Sequence, residues 1–100
     1  VLLSGSGSNL QAIVDATFAG TLDAEVAVVI ANKPDAYGLQ RAAAAGITAV
    51  GLDAANYPDA AAFDRALLYE LHKHQVDWVV MAGYMRLLGS SILDAFPHRV

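Results

Sequence analysis

Two hydrophobic periods alternate along the chain. Val1-Leu2-Leu3 is a short apolar run that enters Ser4-Gly5-Ser6-Gly7-Ser8-Asn9, which predicts a buried strand opening into a Gly/Ser turn. Leu10, Ile13, Val14 and Phe18 then fall on one side of a 3.6-residue repeat. They predict a helix over 10–18 that stops at Gly20. Residues 24–31 (AEVAVVIA) are almost continuously apolar and of strand length, as expected of a strand covered on both faces. Asn32-Lys33-Pro34-Asp35 reads as a loop, with Asp35 as the N-cap of a helix running to about residue 45 and ending at Gly46.

The second half repeats the scheme. Residues 47–52 form the third strand candidate, and 53–59, with Asn56 and Pro58, a turn-rich loop. Phe63, Leu67, Leu68 and Leu71 mark the inner face of a longer helix over 60–74. Residues 77–82 predict a fourth strand, broken at Gly83 and followed by a loop at Tyr84-Met85-Arg86. A last helix is expected over Ser90–Ala95, before Pro97, and Arg99-Val100 as the first step of a fifth strand. The order βαβαβαβα with short connections predicts an α/β fold. The expectation is a Rossmann-like, doubly wound, mainly parallel sheet of about four βα units, in one domain over 1–100.

Composition narrows the function. Hydrophobic residues make up 56% of the chain and charged ones 16%, which excludes intrinsic disorder. The net charge of −4, with no Lys/Arg cluster, argues against a nucleic-acid binder held by phosphate contacts. With no Cys there is no disulfide frame, no thiolate zinc site and no Cys nucleophile. No apolar run is long enough to cross a bilayer as a helix, and no basic segment of a signal peptide precedes the first apolar run. A cytoplasmic protein is the expectation. The chain opens on Val1 inside an apolar run and closes on Arg99-Val100 without a stop signal, so it reads as a piece of a longer protein.

The Gly/Ser turn carries the chemistry. In parallel sheets, ligands bind outside the carboxyl ends of the strands, and a glycine-rich turn there lets backbone N–H groups approach an anion. The following helix adds the partial positive charge of its N-terminus. Gly7, Ser8 and Asn9 are therefore expected to cradle a phosphate, with the Ser8 hydroxyl as a further donor. The other reading of the same residues is a plain tight turn with a helix cap. A dinucleotide fingerprint is not met: Gly5 and Gly7 fit its first two glycines, but Leu10 stands at the third, and Ala31-Asn32 replaces the acid expected after the second strand. A P-loop lacks its Lys, and no nucleophile elbow is present.

Three segments then occur in order: S-G-x-G-S-N-L-Q at Ser4 to Gln11, N-K-x-x-A-x-G-L at Asn32 to Leu39, and A-G-Y-M-R-L-L at Ala82 to Leu88. Together the chain resembles the N-terminal half of the phosphoribosylglycinamide formyltransferase family, over essentially its whole length. The resemblance implies formyl transfer from 10-formyltetrahydrofolate to the amine of 5-phosphoribosylglycinamide in purine biosynthesis. It implies that Gly7, Ser8 and Asn9 hold the substrate's 5′-phosphate and that Met85, Arg86, Leu87 and Leu88 belong to the folate pocket. Read from the residues alone, Met85 and Leu88 are core positions and Arg86 a solvated surface cation. Two other readings stand beside the family: a non-catalytic Rossmann-type phosphate- or nucleotide-binding module, and another enzyme using formyltetrahydrofolate.

The chain departs from the family in two ways. Ala60 stands where some members carry an Arg that meets the folate. The catalytic Asn and His of the family's N-x-H-P motif, and its catalytic Asp, belong beyond Val100, so no catalytic residue is expected in this chain and the piece alone is expected to be inactive. No residue here replaces them. His72 and His74 are expected as solvated helix-end residues without a third metal ligand, and His98 at the surface. Asp15, Asp64 and Asp94 are expected to be solvated, Asp53 to cap a loop, and Trp78 and Tyr84 to be core aromatics. No metal, nucleic-acid or membrane partner is expected.

Overall fold

The computed structural model describes residues 1–100. Their elements are β1 (Leu2–Leu3), α1 (Ser8–Phe18), β2 (Val29–Ala31), α2 (Tyr37–Ala44), β3 (Ala49–Gly51), a 3-10 turn (Ala54–Asn56), α3 (Ala60–Lys73) and α4 (Ser90–Ala95). The strands are parallel, with β2 between β1 and β3. On the free side of β1 runs segment 79–83. The Leu2 N–H donates to the Val80 carbonyl and the Ala82 N–H to the Leu2 carbonyl, both at 2.8 Å. The spatial order is thus β3, β2, β1, then segment 79–83.

The alternation of side chains along these short strands divides the core in two. Leu2, Val28 and Ile30 face one side, where Phe63, Leu67 and Leu71 of α3 and Ile92 of α4 cover them. Leu3, Val29 and Ala31 face the other, against Leu10 and Val14 of α1 and Ala42 of α2. Both faces are covered, so the strands carry almost no polar residue. The chain winds from β1 to β3 with α1 and α2 on one face. It then returns past β1 with α3 on the opposite face, which is the doubly wound arrangement expected from the βα order. The reversal leaves a crevice between the carboxyl ends of β1 and segment 79–83.

Helix ends follow local chemistry. Asp59 caps α3 by accepting the Ala62 N–H at 2.8 Å. Gly20 and Gly46, just beyond α1 and α2, take the left-handed conformation that closes a helix. The cap of α2 differs from expectation: Ala36, not Asp35, holds the N-cap place, without a side-chain bond. The reason is that the Gly5 carbonyl accepts the Gly38 N–H of the first turn at 3.0 Å, so a distant backbone acceptor does the work of a capping side chain.

The strands are shorter than the apolar runs. Residues 24–28 lie outside β2, because β1 and β3 pair only with its last residues. The fourth strand expected over 77–82 is extended chain with one parallel bridge, Leu2 to Met81. On its other side the Val79 N–H donates to the Arg99 carbonyl at 2.8 Å, but the fifth strand expected at Arg99-Val100 is not formed, since this one bond makes no ladder. Trp78 is not a core residue but 62% exposed, since the two-residue alternation that buries Val79 turns Trp78 and Val80 outward. No helix is long and apolar enough to cross a membrane.

Candidate functional site

The turn after β1 folds as it does because of two glycines. Gly7 is the N-cap of α1 with φ 77°, a backbone conformation that L side chains rarely adopt. A Cβ on Gly7 would also stand 2.6 Å from the Gly38 Cα, so the turn is seated directly on the start of α2. Gly38 is equally constrained, since a Cβ there would meet the Leu3 side chain at 2.6 Å. No side chain caps α1. The N–H groups of its first turn, at Ser8, Asn9 and Leu10, are those a helix leaves without intrahelical acceptors.

Ser8 and Asn9 line a cleft of about 260 Å³ at the switch point of the sheet, while Leu10 is buried behind them. Residues 4–9 form one wall, Ala82, Gly83 and Met85 the other, and Lys33 stands at the side. Ser8 and Asn9 are exposed at the mouth, while Gly7 is buried. The two walls are joined through Ser4, which is only 5% exposed. Its hydroxyl oxygen accepts the Met85 N–H at 2.8 Å, and its own N–H donates to the Gly83 carbonyl at 3.2 Å. The cleft is lined mainly by glycines, serines and Asn9, whose backbone N–H groups are of the kind that suit an anion.

The four residues expected in the folate pocket, Met85 to Leu88, separate. Met85 lines the cleft and is 79% exposed. Arg86 lies outside it, half-buried, with its guanidinium 4.6 Å from the centre of the Phe63 ring. Leu87 is 95% exposed, and Leu88 rests against the main core. Tyr84, half-buried, also touches that core. Burial pushes its phenol pKa up; Arg86 opposes this and Asp64 adds to it, so the hydroxyl stays protonated.

The remaining polar residues take structural places. Asp53 accepts the Ala55 N–H at 3.0 Å and caps the 3-10 turn. Asp15 accepts from the Gln11 amide at 3.0 Å. His74 faces Glu70 at 3.4 Å near the end of α3, His72 is exposed beside Phe96, and His98 is exposed. Asp94 is solvated and Asp64 half-buried. No group of three or more His, Cys, Asp or Glu side chains is placed to hold a metal ion.

Two cations near the loop were not singled out from the sequence. Lys33 lines the cleft. Arg41, on α2, donates from Nε to the Ser6 carbonyl at 2.8 Å. The N-K-x-x-A-x-G-L segment contains Lys33 and Gly38, and was the one available signal for the first of them. The side-chain oxygen of Asn32, next to Lys33 in the chain, is buried without a hydrogen-bond partner.

The sequence pattern of the formyl transferase family matches residues 1–100. The chain belongs to that family. This formyl transferase chain is 42% identical over 100 residues to the phosphoribosylglycinamide formyltransferase of Escherichia coli (strain K12), covering all of itself and 47% of that relative. It is 46% identical over 102 residues to a trifunctional purine biosynthetic protein adenosine-3 of Chironomus tentans, of which it covers 7%. The solved glycinamide ribonucleotide transformylase 1 of Symbiobacterium toebii superposes with a TM-score of 0.95 at 52% identity, over 98% of this chain and 46% of that one. The chain therefore spans about half the length of the single-function formyltransferases it matches.

Proposed function

We propose that the protein to which this chain belongs transfers a formyl group from 10-formyltetrahydrofolate to the amine of 5-phosphoribosylglycinamide, in the cytoplasm, as a step of purine biosynthesis. In this reading Gly7, Ser8 and Asn9 bind the 5′-phosphate through the free N–H groups at the start of α1. Met85, Arg86, Leu87 and Leu88 form part of the wall for the folate, with Met85 the nearest to the phosphate end. The observation that carries the reading is the donor-lined cleft at the switch point, bounded on one side by the first of these segments and on the other by Met85.

The chemistry is acyl transfer. The amine attacks the formyl carbon, a tetrahedral intermediate forms, and its collapse breaks the bond to the folate nitrogen, which takes a proton as tetrahydrofolate leaves. This chain contributes binding and orientation. Its phosphate loop and folate segment, joined through Ser4, hold the two reactants toward one crevice. The acid–base and oxyanion groups are those the family resemblance assigns beyond Val100. The phosphate cradle also speaks against a folate hydrolase, which has no use for one.

Product analysis on the full-length protein tests the reading. Formylglycinamide ribonucleotide and tetrahydrofolate should appear in equal amounts, and only when the ribonucleotide is present. Turnover of the folate without ribonucleotide would establish a different formyltetrahydrofolate enzyme. Saturable ribonucleotide binding without product would establish a binding module.

A further inference from the structure

We propose that Arg41 is the positioning residue of the phosphate cradle, holding the Ser6–Gly7 peptide so that its N–H faces the anion. The inference rests on the proposed function and adds a residue to it that makes no contact with substrate. Arg41 lies on α2, not on the loop. Its Nε donates to the Ser6 carbonyl at 2.8 Å, and its Nη1 lies 3.5 Å from the Gln11 amide oxygen. The guanidinium sits over the Tyr37 ring, 5.1 Å from its centre, which limits its orientations. One residue earlier in the loop, the Gly5 carbonyl accepts the Gly38 N–H. Two successive loop carbonyls are thus turned toward α2.

A peptide unit is planar and trans, so its N–H points opposite to its carbonyl. Holding the Gly5 and Ser6 carbonyls against α2 therefore turns the Ser6 and Gly7 N–H groups away from α2. The hold matters most at the second peptide. Rotating that unit changes φ at Gly7, the residue whose lack of a Cβ makes such rotation cheap. The glycine that lets the loop rest on Gly38 also leaves the adjoining peptide free to flip. Flipped, it would present a carbonyl oxygen where a phosphate oxygen has to sit. Arg41 opposes that flip with a charge-assisted bond.

The experiment uses the full-length protein with 5-phosphoribosylglycinamide and its unphosphorylated ribosyl counterpart. Preference is the ratio of their kcat/KM values. Arg41→Ala should raise KM for the ribonucleotide about tenfold, the scale of one charge-assisted hydrogen bond, and lower the preference by the same factor. The value of kcat and the KM for 10-formyltetrahydrofolate should stay within about twofold. Arg41→Lys, which keeps the charge and one donor but not the planar fork, should lose about threefold. Arg65→Ala, an equal charge change on an exposed position of α3, should leave the preference unchanged.

An unchanged preference in Arg41→Ala overturns the inference. So does an equal loss with both substrates, which would mean a general loosening of the fold, or an equal loss in Arg65→Ala, which would mean a diffuse charge effect. Should Arg41→Ala not fold, Arg41→Lys carries the test on the same ratio. A wild-type protein with no preference for the phosphorylated substrate would remove the phosphate cradle itself, a different failure from that of Arg41.

Discussion

The two walls of the cleft are built on different principles. The loop between β1 and α1 is fastened on every side: Gly7 rests on Gly38, α2 holds the Gly5 and Ser6 carbonyls, and Ser4 is buried. The opposite wall is held to β1 by a single bridge and the Ser4 bonds to Gly83 and Met85, and the side chains of Met85 and Leu87 stand in solvent, as do those of Trp78, Val80 and Met81. A wall that works through backbone donors needs fixed peptide planes, and those are supplied by neighbours within this chain. A wall that works through apolar side chains needs a ligand or further protein surface to close on, and here the side chains point outward unpartnered. In the proposed reading, the first wall has its peptide planes already fixed within this chain, while the second still has its apolar side chains uncovered.

Substitutions that load one wall and spare the other would sharpen this contrast. The largest effect is expected at the seat of the loop. Gly7→Val adds a Cβ in a left-handed backbone and drives it into Gly38. Thermal unfolding of the full-length protein should show a loss of about 2–4 kcal/mol, with ribonucleotide KM raised more than about tenfold. A normal ribonucleotide KM would mean that the loop is not held by its fit to α2. On the other wall, Phe63→Leu removes the ring beneath Arg86 and leaves a cavity. A stability loss of about 1–2 kcal/mol is expected, with the folate KM raised and the ribonucleotide KM unchanged; the reverse order of the two KM values would break the assignment of walls.

Asp59→Ala strips the cap from α3. It should cost about 1 kcal/mol of stability and leave both KM values alone, since the bond it removes is made to Ala62 in the first turn of that helix. The smallest change is expected from Lys33→Ala. A solvated ammonium at the side of the cleft should affect ribonucleotide KM only about threefold, and less at high salt. A salt-independent change would point to a role other than charge.

How far the sequence could be read depended on the reach of each interaction. α4 runs over Ser90–Ala95 as expected, and α3 starts at Ala60 as expected, because apolar spacing and Pro97 are local signals. The two-sided sheet followed from uninterrupted runs such as Val28 to Ala31, and the turn between β1 and α1 from glycine and serine at a strand end. Strand lengths were overestimated because pairing depends on what lies alongside, as at residues 24–28 and 77–82. Residue preference favours Asp35 over Ala36 as a cap, since it is blind to an acceptor arriving from Gly5. Arg41 was missed for the same reason: periodicity tells which face of α2 is apolar, not which cation reaches across to Ser6. Arg86 belonged to a recognisable segment, but only the structure places its guanidinium on Phe63 and outside the cleft.

The contact of Gly7 with Gly38 also bears on how the site comes into existence. The motif is contiguous, and a peptide ending with α1 would contain every donor of the cradle. It would lack Gly38, Arg41 and the docked start of α2, and with them the orientation of those donors. The proposed anion site is therefore not a property α1 can acquire alone. It is assembled when the second helix docks on the first strand, so the order of events in folding runs through a long-range contact before any ligand can be recognised. By the same linkage, an anion in the cradle should slow amide exchange in α2, a helix that lines no part of the cleft.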